Sequence, residues 1–232
     1  MVNENTILVQ KSLSSPDSKK PFQVYSDDFD DSGSTDIILA YNNEDKLVPV
    51  RGRDCSSEQM PFITEKFPTF KDFAQAEIKD IVGDKIDSSL NKKAFNFASV
   101  ILINEGGKLE QKLLPSEAQL FPINASEVHD FNQDGNLDIL IAGNMYQTEA
   151  ETSRADAGYG LVLLNDGEFN YKPLPLYKSG FFAPGDVKDM IKITLKDENP
   201  IFLIANNNAP SQAYQFVPPV ERETLSSKAG KQ

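Results

Sequence analysis

HDFNQDGNLDILIAGN, residues 129–144, sets Asp130, Asp134 and Asp138 with two asparagines around Gly135 and then turns at once into an apolar run. Like charges crowded into so short a stretch repel one another unless a cation sits among them. The run DILIAGN is too short for a helix and is bounded by turn residues, which is the pattern of a buried strand. DFDDSGSTDIILAYN, residues 28–42, has the same organisation earlier in the chain.

The recurrence extends further. IFLIANN, residues 201–207, is a third apolar run ending in asparagine, alongside DIILAYN (36–42) and DILIAGN (138–144). SVILINEGGKLEQKLLP (99–115) resembles GLVLLNDGEFNYKPLP (160–175): each is an apolar strand, an Asn with an acid and Gly, and a second strand. Asn-Asp-Gly at 165–167 is hairpin chemistry, because those residues tolerate the positive φ that tight turns need. The unit is therefore acidic loop, buried strand, connection, strand, glycine hairpin, strand. Small antiparallel units repeated in series predict β-propeller blades.

The expected fold is all-β with a small helical insertion: about three β-propeller blades, a partial propeller. The first blade is placed at 22–120 with an insertion at about 43–95, the second at 121–177, and a degenerate one at 178–217, where GDVKDMIKI lacks the glycine and most acids. Residues 1–21 are assigned as an N-terminal segment, the end of a preceding blade. Residues 218–232 are assigned as a polar, disordered tail. Inside the insertion, Phe70, Phe73, Ala74, Ile78 and Ile81 fall near helical period, and Thr69 with Asp72 makes a capping box. One or two short amphipathic helices are expected there.

Composition narrows the function. A formal net charge of -12 repels nucleic-acid backbone and anionic membrane and favours cations or basic partners. With Cys55 and His129 as the single cysteine and histidine, a Cys/His zinc or iron–sulfur site cannot be assembled, nor an internal disulfide. No apolar stretch approaches the length of a membrane span. The opening MVNENTILVQ has neither a basic n-region nor a long apolar h-region, so no secretory signal is expected. The chain either stays inside the cell or is a piece of a longer one.

The acidic loops supply the candidate ligands. Counting from Asp130, positions one, three, five and nine are Asp130, Asn132, Asp134 and Asp138; in the first loop they are Asp28, Asp30, Ser32 and Asp36. Glycine at position six (Gly33, Gly135) lets the backbone reverse, so that Ser34 or Asn136 at position seven can offer a carbonyl. Hard oxygen donors in a flexible ring suit Ca2+, and magnesium's stricter octahedron makes it the weaker candidate. An EF-hand is excluded: position twelve is Leu39 or Ile141 inside a strand, where that motif needs a bidentate Glu and a helix. Asp27 and Asp31 are read as outward-facing charge.

On these residues the chain resembles FG-GAP (VCBS) repeats, the blades of integrin-α-type propellers. RGRDCSSEQMPFITEKFPTFKDFA, LLPSEAQLFPI, GNMYQTEAETSRADAGYG and SGFFAPGDVKDM further resemble bacterial surface proteins related to cartilage acidic protein, which carry these repeats beside an ASPIC/UnbV domain. The resemblance covers about 22–217. It implies calcium in the named loops, export to the cell surface and a closed ring of blades. This chain holds too few blades to close that ring, so the remaining blades of a longer chain are expected as partners.

The functional expectation is a non-catalytic, calcium-stabilised adhesion scaffold that binds protein or glycan, with no nucleic acid and no membrane span. The alternative is a glycan-processing propeller enzyme, a hydrolase or lyase whose carboxylate pair has no sequence signature here. No nucleophile elbow, phosphate loop or dinucleotide motif is present. In ETSRADAGYG (151–160), Arg154 and Asp156 are expected to form an internal ion pair that steadies a long connection. His129 is expected to pack at a strand edge, and Cys55 to be a small buried residue.

Overall fold

A computed structural model describes residues 16–148, 153–196 and 199–218. The first fifteen residues and the tail beyond 218 lie outside the described residues, and so do Glu151 and Thr152 of the Arg154 connection. The chain is mostly β, with antiparallel pairing throughout, and divides at the Phe97–Ala98 junction into two compact units.

In the first unit, β1 (Phe22–Asp27) and β2 (Asp36–Asn43) form a hairpin around the first acidic loop. β3 (Lys46–Pro49) extends the sheet beyond β2, and β4 (Leu90–Ala94) pairs on the other side of β1, giving the order β3-β2-β1-β4. Both added strands come from the ends of the expected insertion, so its helical part contracts to residues 53–88. Five short helices occupy that span, at Arg53–Gln59, Phe62–Lys66, Phe70–Gln75, Ile78–Val82 and Lys85–Ser88, rather than one or two. The expected 70–81 period is broken at Ala76, which is extended, and Glu77 then caps a new helix in a reciprocal box with Asp80. Phe73, Ile78 and Ile81 are buried as expected, whereas Phe70 and Ala74 are exposed and Ala76 is buried instead. The helices roof the sheet: Ile63, Phe73, Ile78 and Ile81 share a core with Tyr25, Ile38 and Ala40. Each such aliphatic side chain contributes roughly 1.5–3 kcal/mol by leaving water.

The second unit is layered. The hairpin of β5 (Val100–Glu105) and β6 (Lys108–Leu113) turns through Gly106 and Gly107, both at positive φ. Among the described residues it pairs with no other strand, so the 99–115 segment does not extend the β1–β2 sheet as its placement in a 22–120 unit had implied. Next comes a meander of four strands, β7 (Ile123–His129), β8 (Asp138–Gly143), β9 (Leu161–Asn165) and β10 (Tyr171–Leu174). A last meander follows, β11 (Val187–Ile193), β12 (Ile201–Asn206) and β13 (Gln212–Gln215). GDVKDMIKI therefore contains a first strand, Val187–Ile193, rather than a lost acidic loop.

The four-stranded sheet is apolar on both faces. Ile141, Leu161 and Leu163 pack with Leu114, Ala118 and Phe121 on one side. Leu140, Ala142 and Val162 pack with Val187, Met190, Phe202 and Ile204 of the last sheet on the other. Burial on both faces is why DILIAGN runs apolar without alternation. Position 143, the last of β8, requires glycine because a Cβ there would lie 1.6 Å from the Pro122 carbonyl oxygen. No helix among the described residues is long and apolar enough to cross a membrane.

Candidate metal centre

The two acidic loops share one hydrogen-bonding frame. At position one, Asp28 accepts from the backbone N–H groups of Ser32 (2.9 Å) and Gly33 (2.8 Å), and Asp130 accepts from those of Asp134 (3.1 Å) and Gly135 (2.9 Å). At position three, Asp30 and Asn132 accept from the position-five N–H, at 3.0 and 3.1 Å. At position five, the Ser32 hydroxyl and Asp134 carboxylate accept from position seven, at 3.3 and 2.8 Å. At position nine, Asp36 and Asp138 accept from the position-two N–H of Phe29 (3.0 Å) and Phe131 (2.8 Å).

The backbone matches as well. Gly33 and Gly135 have φ of 84° and 90°, the left-handed region that their sequence position predicts. Position four is also left-handed, at 60° for Asp31 and 61° for Gln133. The sequence reading missed that second reversal, and the signal was slight: Asp is among the residues that tolerate positive φ, Gln is not.

In the first loop Asp28, Asp30 and Asp36 each bring a carboxylate oxygen within 4.8 Å of the others, a spacing one cation could bridge. Among the described residues this is the one acidic group meeting that condition, so Asp130, Asp134 and Asp138 do not converge equally. The Asn132 amide donates to Asp134 at 2.7 Å, which turns these two candidate ligands toward each other.

Position nine is the electrostatic centre of each loop. Asp36 is 3% exposed and Asp138 is fully buried. Burial lifts the Asp36 carboxyl above the usual carboxylate range; the Phe29 N–H opposes this, and the charges of Asp30 and Asp28 add to it. Asp138 is lifted by burial too, against two N–H donors: Phe131, and Asn165 of β9 at 2.8 Å. Asp30 and Asp134 are held below the usual range, chiefly by a hydrogen bond with Ser32 and by the Asn136 N–H, respectively. A divalent ion would reverse the lift on the position-nine acids by favouring their ionised form.

Lys85, far along the chain, reaches the first loop. Its ammonium donates to the Asp28 and Phe29 carbonyls at 3.1 and 3.2 Å and pairs with Asp31 at 2.7 Å. Asp31 thus faces outward as expected, as a counter-ion rather than a convergent ligand. Asp27 accepts from the Asp28 N–H at 2.9 Å.

The remaining candidates are structural. His129 ends β7 in an aromatic cluster, with ring centroids 4.6 Å from Phe216 and 5.3 Å from Phe131, and burial lowers its pKa. Arg154 pairs with Asp156 at 3.1 Å and lies 4.0 Å over the Tyr146 ring, so the expected ion pair is present and reinforced by a cation–π contact. Cys55 is half-buried in the Arg53–Gln59 helix, less enclosed than expected.

No family model, curated protein or solved structure matches the chain.

Proposed function

We propose that the chain is a calcium-binding segment of an FG-GAP/VCBS-type β-propeller, a non-catalytic cell-surface scaffold whose blades present loops to a protein or glycan ligand. The observation that carries this reading is the common frame of the two acidic loops. Two loops in different units, built from different residues, fold onto the same hydrogen bonds with the same left-handed positions. In the first loop Asp28, Asp30 and Asp36 each bring a carboxylate oxygen within 4.8 Å of the others.

Asp28, Asp30, Ser32, Asp36 and the Ser34 carbonyl would hold the ion in the first loop; Asp130, Asn132, Asp134, Asp138 and the Asn136 carbonyl would do so in the second. An all-oxygen set on a glycine-hinged loop favours calcium over magnesium. The ion's chemistry is structural: it cancels the repulsion among the acids and staples a strand-to-strand turn, so its binding free energy adds to that of folding. The four-strand meander from β7 to β10, packed face to face on the next meander, supports the blade reading.

Thermal unfolding in calcium, magnesium and excess chelator tests this. We expect a rise in Tm specific to calcium, absent in an Asp28→Ala, Asp130→Ala double variant. A folded chain whose Tm is the same in all three conditions contradicts the metal assignment and leaves the loops as solvated turns.

A further inference from the structure

The β5–β6 hairpin presents a ladder edge to solvent. Among the described residues these two strands pair only with each other. β6 is the open side: residues 108–111 and Leu113 are exposed, whereas Ile103 of β5 is buried. The Leu114 N–H donates to the Ser99 carbonyl at 3.1 Å, one step beyond the Val100–Leu113 pair. Hydrogen-bonded and non-bonded pairs alternate along an antiparallel ladder. Lys108, Glu110 and Lys112 therefore turn their backbone groups toward β5, and Leu109, Gln111 and Leu113 turn theirs outward. An outward row of this kind is a template for another strand. The side chains of the three outward residues share one face with Leu102, which lies opposite Gln111. Leu102, Leu109 and Leu113 are each more than half exposed. That face carries no charged residue, in a chain of net charge -12.

We infer that β6 is a self-association edge, which pairs antiparallel with β6 of a second copy about a two-fold axis through Gln111. Outward backbone groups must meet outward backbone groups, and in this register Gln111 meets Gln111 while Leu109 of each copy meets Leu113 of the other. The same register sets Glu110 of each copy opposite Lys112 of the other. Moving the axis by one residue in either direction sets Glu110 against Glu110 or Lys112 against Lys112, and like charges directly opposite each other disfavour pairing. KLEQKL, residues 108–113, is thus complementary to itself, as a two-fold contact requires. The match of charge in sign and position is what makes the occupant a second copy rather than an unrelated strand. Lys112 already donates to the Glu168 carbonyl at 2.9 Å, but an ammonium carries three donors, so this bond leaves room for a carboxylate. The two hairpins become one four-stranded sheet, with leucines of the two copies as cross-strand neighbours on its uncharged face. The inference rests on strand register and stands whether or not the acidic loops bind calcium.

Sedimentation equilibrium of the full chain, from micromolar to millimolar concentration, tests it. We expect a reversible equilibrium between monomer and dimer. Glu110→Lys puts like charges at both ends of the contact and should weaken the dimer by at least about tenfold. Adding Lys112→Glu to that variant exchanges the two signs and should restore the dimer to within about threefold of the unaltered chain. Gln111→Pro removes an outward N–H and no bond within the hairpin, and should leave monomers alone at the same concentrations. Monomers alone in the unaltered chain overturn the proposal, even if the variants fail to fold. A dimer that Glu110→Lys leaves unchanged, that the exchange of signs does not restore, or that survives Gln111→Pro overturns it too.

Discussion

The two acidic loops have one backbone and two different stocks of side chains. In the first, position three is Asp30 and position five is Ser32, and the three carboxylates converge on a common point. In the second, position three is Asn132, whose amide binds Asp134, and position nine is spent differently. Asp138 holds the Phe131 N–H with one oxygen and the Asn165 N–H with the other, tying the loop, β8 and β9 together. Asp36 shares only the first of these roles, with Phe29. A loop frame can therefore be set by backbone hydrogen bonds to its acids, while the freedom of those acids to take an ion is decided separately by what else they hold. The spacing of the three carboxylates in the first loop is one a cation could bridge, whereas the second loop is partly self-satisfied.

Asp138→Ala should do the greatest damage. It strands the buried Asn165 N–H and the half-buried Phe131 N–H, the first at a cost of about 1–3 kcal/mol and the second at less. Denaturant unfolding in chelator should show a loss of roughly 2–4 kcal/mol, larger than for Asp36→Ala. Equal losses would mean that the Asn165 bond contributes nothing and that the two loops are equivalent.

Asp30→Ala sharpens the contrast from the other side. It removes a convergent, partly exposed ligand, so calcium affinity at the first loop should fall by at least about tenfold while stability in chelator changes little. A calorimetric titration reads the first change and denaturant unfolding in chelator the second. If Asn132→Ala weakens calcium binding more than Asp30→Ala does, the first loop is not the better site.

Acidification should separate metal binding from folding. Asp36 has a raised carboxyl pKa, so without metal its ionised form opposes folding, and protonation as pH falls through that raised value relieves the penalty. Calcium needs the ionised form, so protons displace it at a pH above the ordinary Asp range of about 3.9. The calcium-induced rise in Tm should therefore shrink between neutrality and mildly acidic pH, before the metal-free fold itself is lost. A response that persists down to the ordinary Asp range would place Asp36 outside the coordination set.

The smallest effect is expected at the loop's rim. Asp31→Ala breaks an exposed ion pair with Lys85 and should leave the denaturant unfolding midpoint in chelator nearly unchanged. A larger change would show that Lys85 depends on Asp31 to reach the Asp28 and Phe29 carbonyls.

What the sequence disclosed follows the range of the interactions. The three apolar runs at 36–42, 138–144 and 201–207 each coincide with a strand, because burial on a sheet leaves a local pattern. Gly33 and Gly135 were legible for the same reason. The hairpin after β9 was less so. Asn165 accepts from Gly167 and Phe169, and Asp166 from Glu168 and Asn170, which stretches a predicted tight turn over five residues. Lys85 docking on the first loop, Gln59 accepting from the Ile37 N–H at 3.0 Å, and Asn165 closing on Asp138 join residues far apart in the chain. No spacing rule registers such pairs. The separation of the β5–β6 hairpin from β2 has the same origin: β3, a four-residue strand with weak alternation, takes the outer edge of β2 through a short local turn at Glu44 and Asp45.

The most direct test of the calcium reading is a calorimetric titration of the full chain with calcium, repeated with magnesium and with Asp28→Ala and Asp130→Ala singly. The account predicts saturable calcium binding whose tighter component vanishes in Asp28→Ala and survives in Asp130→Ala, with magnesium much weaker. Saturable binding unchanged by either substitution, or none at all in the folded chain, would contradict it.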